Sequence, residues 1–295
     1  MENSPALEKT SINVVQRKLG STKKTRRYQT AVVYVILILF SLAFIIPFLW
    51  LVSGSLKSSS ELFTNPGIPK VFHWQNYTQA FSEFPFFLYL KNTLFITSMN
   101  IIGSVISCTL IAYGFSRIEW KGRDAVFVLV LVTMLLPFQV TMIPLFMLFQ
   151  KLGWIGTFLP LTVTPFFGNP FFIFLLRQFF ISIPKELSEA AKLDGASEFR
   201  IYWNVILPLS KPVIMTVIIF AFLASWGDFI GPLVFLNDNS LYTLSLGIQQ
   251  IMSVNDPRWP LLLAVGVSMT LPVLIIFFVL QKYFIQGIAL SGIKE

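Results

Sequence analysis

The sequence predicts an all-α integral membrane protein: six transmembrane helices, with a helix-turn-helix in the polar loop between the fourth and fifth. Three observations predict it. Of 295 residues, 55% are hydrophobic and only 12% are charged, about half the charge of a soluble domain, and mean hydropathy is +0.73. Six stretches reach the roughly 20 apolar residues that a helix needs to cross the hydrocarbon. Lys and Arg gather on one side of those stretches. Too little polar material remains to clothe a water-facing surface, which argues against a soluble enzyme or a nucleic-acid binder despite the net charge of +8.

Residues 1–28 are polar and charged without apolar periodicity, and most of them are expected to be disordered; a single transmembrane domain is expected over 29–295. The spans fall at about 31–53, 92–116, 125–150, 152–176, 212–236 and 260–281. The first carries no ionisable group except Tyr34, is too long for a signal-peptide core, and is read as retained. The outer loop 54–91 is rich in aromatics, which suits short helices at the interface. Pro137, Pro144, Pro160, Pro165, Pro170 and Pro272 lie within spans and predict kinks. No apolar/polar alternation of a membrane β-barrel is present.

The basic residues set the orientation. With six spans, the N-terminal segment, the loops after spans 2 and 4 and the C-terminus share one side and hold 17 Lys and Arg. The other side holds five, Lys57, Lys70, Lys91, Lys151 and Arg258. Both termini are therefore expected in the cytoplasm. The basic balance is a topology signal and calls for no nucleic acid.

The loop 183–212 is not a bare connector. Pro184 can open a helix where its missing N–H does no harm, and Glu186 and Glu189 suit the positive end of the helix dipole. Asp194-Gly195 then breaks it, with Gly195 supplying a left-handed cap. Ser197 is a suitable N-cap for a second helix, in which Phe199, Trp203 and Ile206 fall on one apolar face. Ala190 and Ala191 leave a small-residue patch where a partner could approach closely. The acids and bases between 185 and 200 nearly cancel, so docking of a soluble protein fits this hairpin better than adsorption to anionic lipid.

Glu189-Ala190-Ala191, Asp194-Gly195-Ala196, Ile206-Leu207-Pro208 and Pro212 resemble the EAA loop of binding-protein-dependent ABC importer permeases. Further segments resemble the carbohydrate-uptake branch, the maltose-type smaller permease: Ser55-Leu56-Lys57, Ala112-Tyr113-Gly114-Phe115-Ser116-Arg117 with Lys121-Gly122-Arg123, Leu136-Pro137-Phe138-Gln139-Val140-Thr141, and Trp226-Gly227-Asp228-Phe229. The resemblance implies a permease subunit in the bacterial inner membrane that moves a di- or oligosaccharide by alternating access. It implies a second permease subunit, two cytoplasmic ATPase subunits seated on the EAA loop, and an external solute-binding protein. ATP and Mg would be bound by the ATPases, and this chain would need no cofactor of its own. The sequence agrees in lacking a G-x-x-x-x-G-K-[ST] phosphate loop. A permease for another polar solute shares the EAA loop, whereas an ion-driven transporter would need carboxylates inside the spans, where only Asp228 is available, at an outer end.

Asn100, Gln139, Asn169 and Asp228 are candidates for a translocation path, as is Thr141, because a sugar needs polar groups to pair its hydroxyls; such groups equally hold helices together. The loop 247–258 matches in position the loop that in maltose-type permeases reaches into the binding protein, and the tail from Gly287 to Glu295 resembles one that enters between the ATPases. One cysteine (Cys108) and one histidine (His73) offer no ligand set for a metal or haem, and no nucleophile–base pair suggests an enzyme.

Overall fold

The computed structural model describes residues 5–252 and 258–292, with side chains from 28 to 281 apart from 251 and 253–257. Among the described residues every regular element is helical. Helix α1 (Pro5–Ser55) contains the first span. Where residues 1–28 read as mostly disordered, the backbone from Pro5 runs as helix continuous with that span; the stretch from Ala6 to Leu19 has neither Gly nor Pro to interrupt a helix already nucleated by the apolar segment. Two short helices follow, α2 (Ser59–Thr64) and α3 (Gln75–Glu83), as the aromatic loop suggested. His73 sits between them, its ring bonded to Gln75 at 3.0 Å.

Helix α4 (Phe86–Ser116) is the axis of the molecule. It packs against α8 (Pro170–Ser182), α12 (Lys211–Trp226) and the short helix α7 (Leu159–Val163), with a 3₁₀ turn (Thr164–Phe167) linking α7 to α8. Two buried clusters lie at opposite ends of this packing. One joins Cys108, Ala112 and Tyr113 to Leu176, Phe180, Ile201, Tyr202, Ile206 and Val217. The other joins Tyr89 and Phe86 to Ala80, Trp226, Leu244 and Val265.

The third span differs from the sequence reading. Residues 125–150 form two helices, α5 (Arg123–Thr133) and α6 (Phe138–Lys151), bent by 97°. Pro137 disfavours helix at Leu136, and the chain tightens beforehand: the amides of Met134, Leu135 and Leu136 each donate to the carbonyl three residues back. The fifth span is also interrupted. Helix α12 ends at Trp226, and a second short helix, α13 (Ile230–Phe235), begins after Gly227. Four helical stretches are long and apolar enough to cross a membrane; two bent pairs, α5 with α6 and the helical stretch Glu198–Leu209 with α12 (79°), bring the passages to as many as six if each pair serves as one. Most of the span prolines start elements rather than kinking them. Pro160, Pro165 and Pro170 stand in the first turn of their helices, where a missing N–H costs nothing, whereas Pro144 and Pro272, like Pro47 of the first span, lie within helices.

The chain ends with α14 (Leu244–Met252) and α15 (Trp259–Gly292). Part of the loop 247–258 is thus helical, and residues 253–257 and 293–295 lie outside the described residues. Helix α1 finds its main neighbour in α15, and its side chains from Tyr28 to Ile46 are all exposed, as befits an apolar helix in lipid.

Candidate functional site

The polar loop folds as helix, turn, helix. Its first helix is α9 (Lys185–Leu193), entered through Pro184 as the flanking cap residue. Gly195 adopts φ +79, the left-handed conformation the sequence called for. The Ala196 amide donates to the Ala191 carbonyl at 2.9 Å and the Gly195 amide to Lys192 at 3.0 Å, the paired bonds of a glycine-capped helix end. Ser197 caps the second helix through the Arg200 amide at 3.4 Å. That helix comprises α10 (Glu198–Ile201), a π-helical turn (Tyr202–Ile206) and α11 (Leu207–Leu209).

The π turn splits the apolar face predicted for the second helix. The Leu207 amide reaches back five residues to Tyr202, a wider winding than the α-helical period assumes. Ile201, Tyr202 and Ile206 turn into the core, whereas Phe199 and Trp203 stack on each other at 6.3 Å and stand 66% and 61% exposed. Leu193, at the end of α9, is 90% exposed. Around these apolar side chains, Glu189 and Asp194 are exposed and their carboxylates bond to none of the described residues. Of the other predicted residues, Ala190 and Pro208 are exposed, and Ala191 and Leu207 pack partly buried against the core.

The back of the hairpin is held by residues that sequence reasoning did not single out as a site. Tyr113 Oη donates to Glu198 Oε2 at 2.6 Å, and Glu198 also pairs with Lys192 Nζ at 2.6 Å, tying the second helix to the first. The ammonium and then the phenol hold the Glu198 carboxyl below the usual carboxylate range, while Glu198 raises the Lys192 ammonium. Arg117 Nη2 donates to the Phe180 and Ile183 carbonyls at 2.5 and 2.6 Å. Arg177 reaches the Phe115 carbonyl at 3.1 Å, pairs with Asp124 at 3.2 Å and lies 4.1 Å over the Phe127 ring. Between these groups and α9 opens a cleft of about 540 Å³, lined among others by Arg117, Arg123, Lys185, Ser188 and Glu189. The available signal was the spacing of Thr109, Tyr113 and Arg117, which puts three polar groups on one helix face.

The four candidate path residues are not gathered into one site, and none of them lines that cleft. Asn100 is half-buried on α4, its amide oxygen 3.5 Å from the Ser104 hydroxyl. Gln139 is exposed on α6. Asn169 caps α8, accepting from the Phe171 and Phe172 amides at 3.0 and 3.3 Å. Asp228 is half-buried in the break after α12, where it accepts from the Gly231 amide at 3.1 Å. Cys108 accepts from the Asn169 amide at 3.2 Å, so the lone thiol seats the start of α8. No group of three His, Cys, Asp or Glu capable of holding a metal occurs among the described residues.

A bundle of apolar helices with an exposed helix-turn-helix latched to one end defines a membrane permease. The chain belongs to the family of binding-protein-dependent transport system inner membrane components, whose profile matches residues 100–290. It is 35% identical over 261 residues to the arabinooligosaccharides transport system permease protein AraQ of Bacillus subtilis, covering 87% of this chain and 92% of that relative. It is 31% identical to the trehalose/maltose transport system permease protein MalG of Thermococcus litoralis, covering 87% and 94%. Among solved structures, a chain of a bacterial ABC transporter that imports the acidic polysaccharide alginate superposes with a TM-score of 0.79 at 26% identity, covering 88% of this chain and 97% of that one.

Proposed function

We propose that the chain is a permease subunit of an ABC importer for a di- or oligosaccharide. The observation that carries this reading is the hairpin 183–210: it exposes Leu193, Phe199 and Trp203 with Asp194 beside them, Glu189 stands exposed at the lip of the cleft behind α9, and the hairpin's inner side is hydrogen-bonded to the bundle. Such a surface suits a partner that pushes on the bundle. The partner is an ATPase subunit, two to each complex, on the cytoplasmic side. ATP and Mg sit on those subunits, and their closure tips the spans between inward-open and outward-open states, a rigid-body mode of alternating access.

Sugar is the substrate that the named relatives favour, since arabinooligosaccharides, trehalose or maltose, and alginate appear in their descriptions. An external binding protein delivers it. A second permease subunit completes the path, to which this chain contributes from Asn100, Gln139, Asn169 and Asp228. Both termini are cytoplasmic.

The test is reconstitution in proteoliposomes with the companion permease, the ATPase and the binding protein. Uptake of labelled maltooligosaccharide or arabinooligosaccharide that requires ATP and the binding protein supports the reading. Uptake driven by an ion gradient without the ATPase overturns it.

A further inference from the structure

Helix α4 is hydrogen-bonded at both ends to segments far from it in sequence. Near its C-terminus, Thr109, Tyr113 and Arg117 follow at spacings of four on one face. The Thr109 hydroxyl lies 2.8 Å from that of Tyr202, Tyr113 donates to Glu198, and Arg117 donates to Phe180 and Ile183. The three contacts take in the approach to the hairpin, the start of its second helix and the π turn that follows. Near the N-terminus, Asn92 Nδ2 donates to the Ser240 and Tyr242 carbonyls at 2.9 and 3.0 Å, and Thr93 Oγ1 accepts from the Leu244 amide at 2.9 Å. Both sets lie on one unbroken helix of 31 residues, and the outermost of them, Asn92 and Arg117, are about 38 Å apart along it at 1.5 Å per residue.

We propose that Thr109, Tyr113 and Arg117 are positioning residues that make α4 a strut, transmitting displacement of the 183–210 hairpin to the 240–246 segment at the far end of the bundle. The proposal rests on the reading of that hairpin as the element an ATPase moves.

Ile201, Tyr202 and Ile206 anchor the hairpin in the core, but these contacts are individually weak and non-directional. Hydrogen bonds to carbonyls and to a carboxylate are directional and strengthen in a low-dielectric setting. Arg117 suits this role because one guanidinium nitrogen, Nη2, donates to two carbonyls; its Nε is buried without a partner, and the two Nη2 bonds keep the side chain there. Bonds at both ends make movement of the hairpin movement of α4. Coupling between two sites must be reciprocal, so the same strut carries binding-protein docking at the far end back to the ATPase.

The experiment uses the assembled transporter in proteoliposomes, with Tyr113→Phe and Arg117→Lys as conservative variants and Glu198→Gln alone and combined with Tyr113→Phe. Three readouts are taken: ATPase retained on purification, binding-protein stimulation of hydrolysis, and sugar moved per ATP. The expected result is retained ATPase with both coupling ratios down about fivefold or more, the low end of ordinary coupling between sites. The Tyr113→Phe and Glu198→Gln losses should sum to more than the double variant shows, because both weaken the Tyr113–Glu198 bond, while Glu198→Gln also removes the ion pair with Lys192. Unchanged ratios in both conservative variants overturn the strut and leave the importer reading standing. Loss of the ATPase also overturns it, because these residues would then serve docking. If the unaltered transporter neither retains the ATPase nor needs ATP, the importer reading fails first.

Discussion

The Ala196 amide donates to the Ala191 carbonyl at 2.9 Å, and that bond closes the turn between the two helices of the hairpin. It can form only because Gly195, between them, takes φ +79. A Cβ at Gly195 would meet no atom within 4 Å, so a substitution is opposed by backbone strain and not by a clash.

Gly195→Val should therefore strain the turn by about 1–3 kcal/mol and re-aim the second helix while leaving the spans inserted. Uptake in cells should fall to background at normal permease levels, with sugar binding to the external binding protein unchanged. Transport at the wild-type rate would show that the hairpin is not the coupling element.

Leu193, Phe199 and Trp203 form the exposed apolar side of the hairpin. Aromatic anchors at the centre of an interface commonly account for about 2 kcal/mol or more of binding each. Trp203→Ala should then weaken ATPase binding about thirtyfold, and Leu193→Asp should release the ATPase on purification. Both chains should stay folded, since neither side chain is buried. Affinity of the purified ATPase for nanodisc-held permease measures this.

The Lys192–Glu198 pair predicts a dependence on pH. The Glu198 pKa is lowered in the folded chain, so its contribution is fully present above the unfolded value, about 4.3, and is lost as pH falls through the folded value. The Lys192 pKa is raised, so its contribution is present below about 10.4 and is lost only above that. The hairpin should hold its form from about pH 5 to 10 and loosen in acid below about 4. A fluorophore at position 187 should report this loosening, which Glu198→Gln should abolish. Because both groups are largely exposed, salt should shrink the effect.

The basic bias predicts which way the molecule faces. Lys70 and Leu193 are exposed on opposite sides of the proposed membrane. In intact cells, with Cys108 replaced by Ser, an impermeant maleimide should label Lys70→Cys and spare Leu193→Cys. The reverse pattern would invert the topology.

How much of this could be read from the sequence varies with the range of the forces involved. The hairpin was legible because its determinants are local: Gly195 for a left-handed turn, Ser197 for a cap, and acids in the first turn. The π turn at Tyr202–Ile206 was not, because its winding satisfies the core, and it redirects Ile206 away from the face that simple periodicity gives it. The 97° break of the third passage was half visible: Pro137 marked the place, but an unbroken apolar run hides how far a chain turns. The latch was least legible, since Tyr113 and Glu198 lie 85 residues apart and only the packing of α4 brings them together. The path candidates show the reverse problem. Asn169 and Asp228 are conspicuous polar groups in apolar sequence, yet their side chains also serve as local caps.

Helix α1 and helix α15 have a consequence for how the protein is made. Leu263 comes within 2.6 Å of where a Cβ on Gly54 would stand, and Leu51 within 3.6 Å of one on Gly266, so the two helices pack closely. Yet more than 200 residues of chain separate these contacts. The ribosome therefore delivers α15, the main neighbour of α1, long after α1 itself. While the intervening helices are made, α1 must wait in lipid without that neighbour, and this side of the bundle closes only when α15 arrives. A chain truncated before Trp259 would therefore keep its first span inserted but undocked, a ready target for membrane quality control.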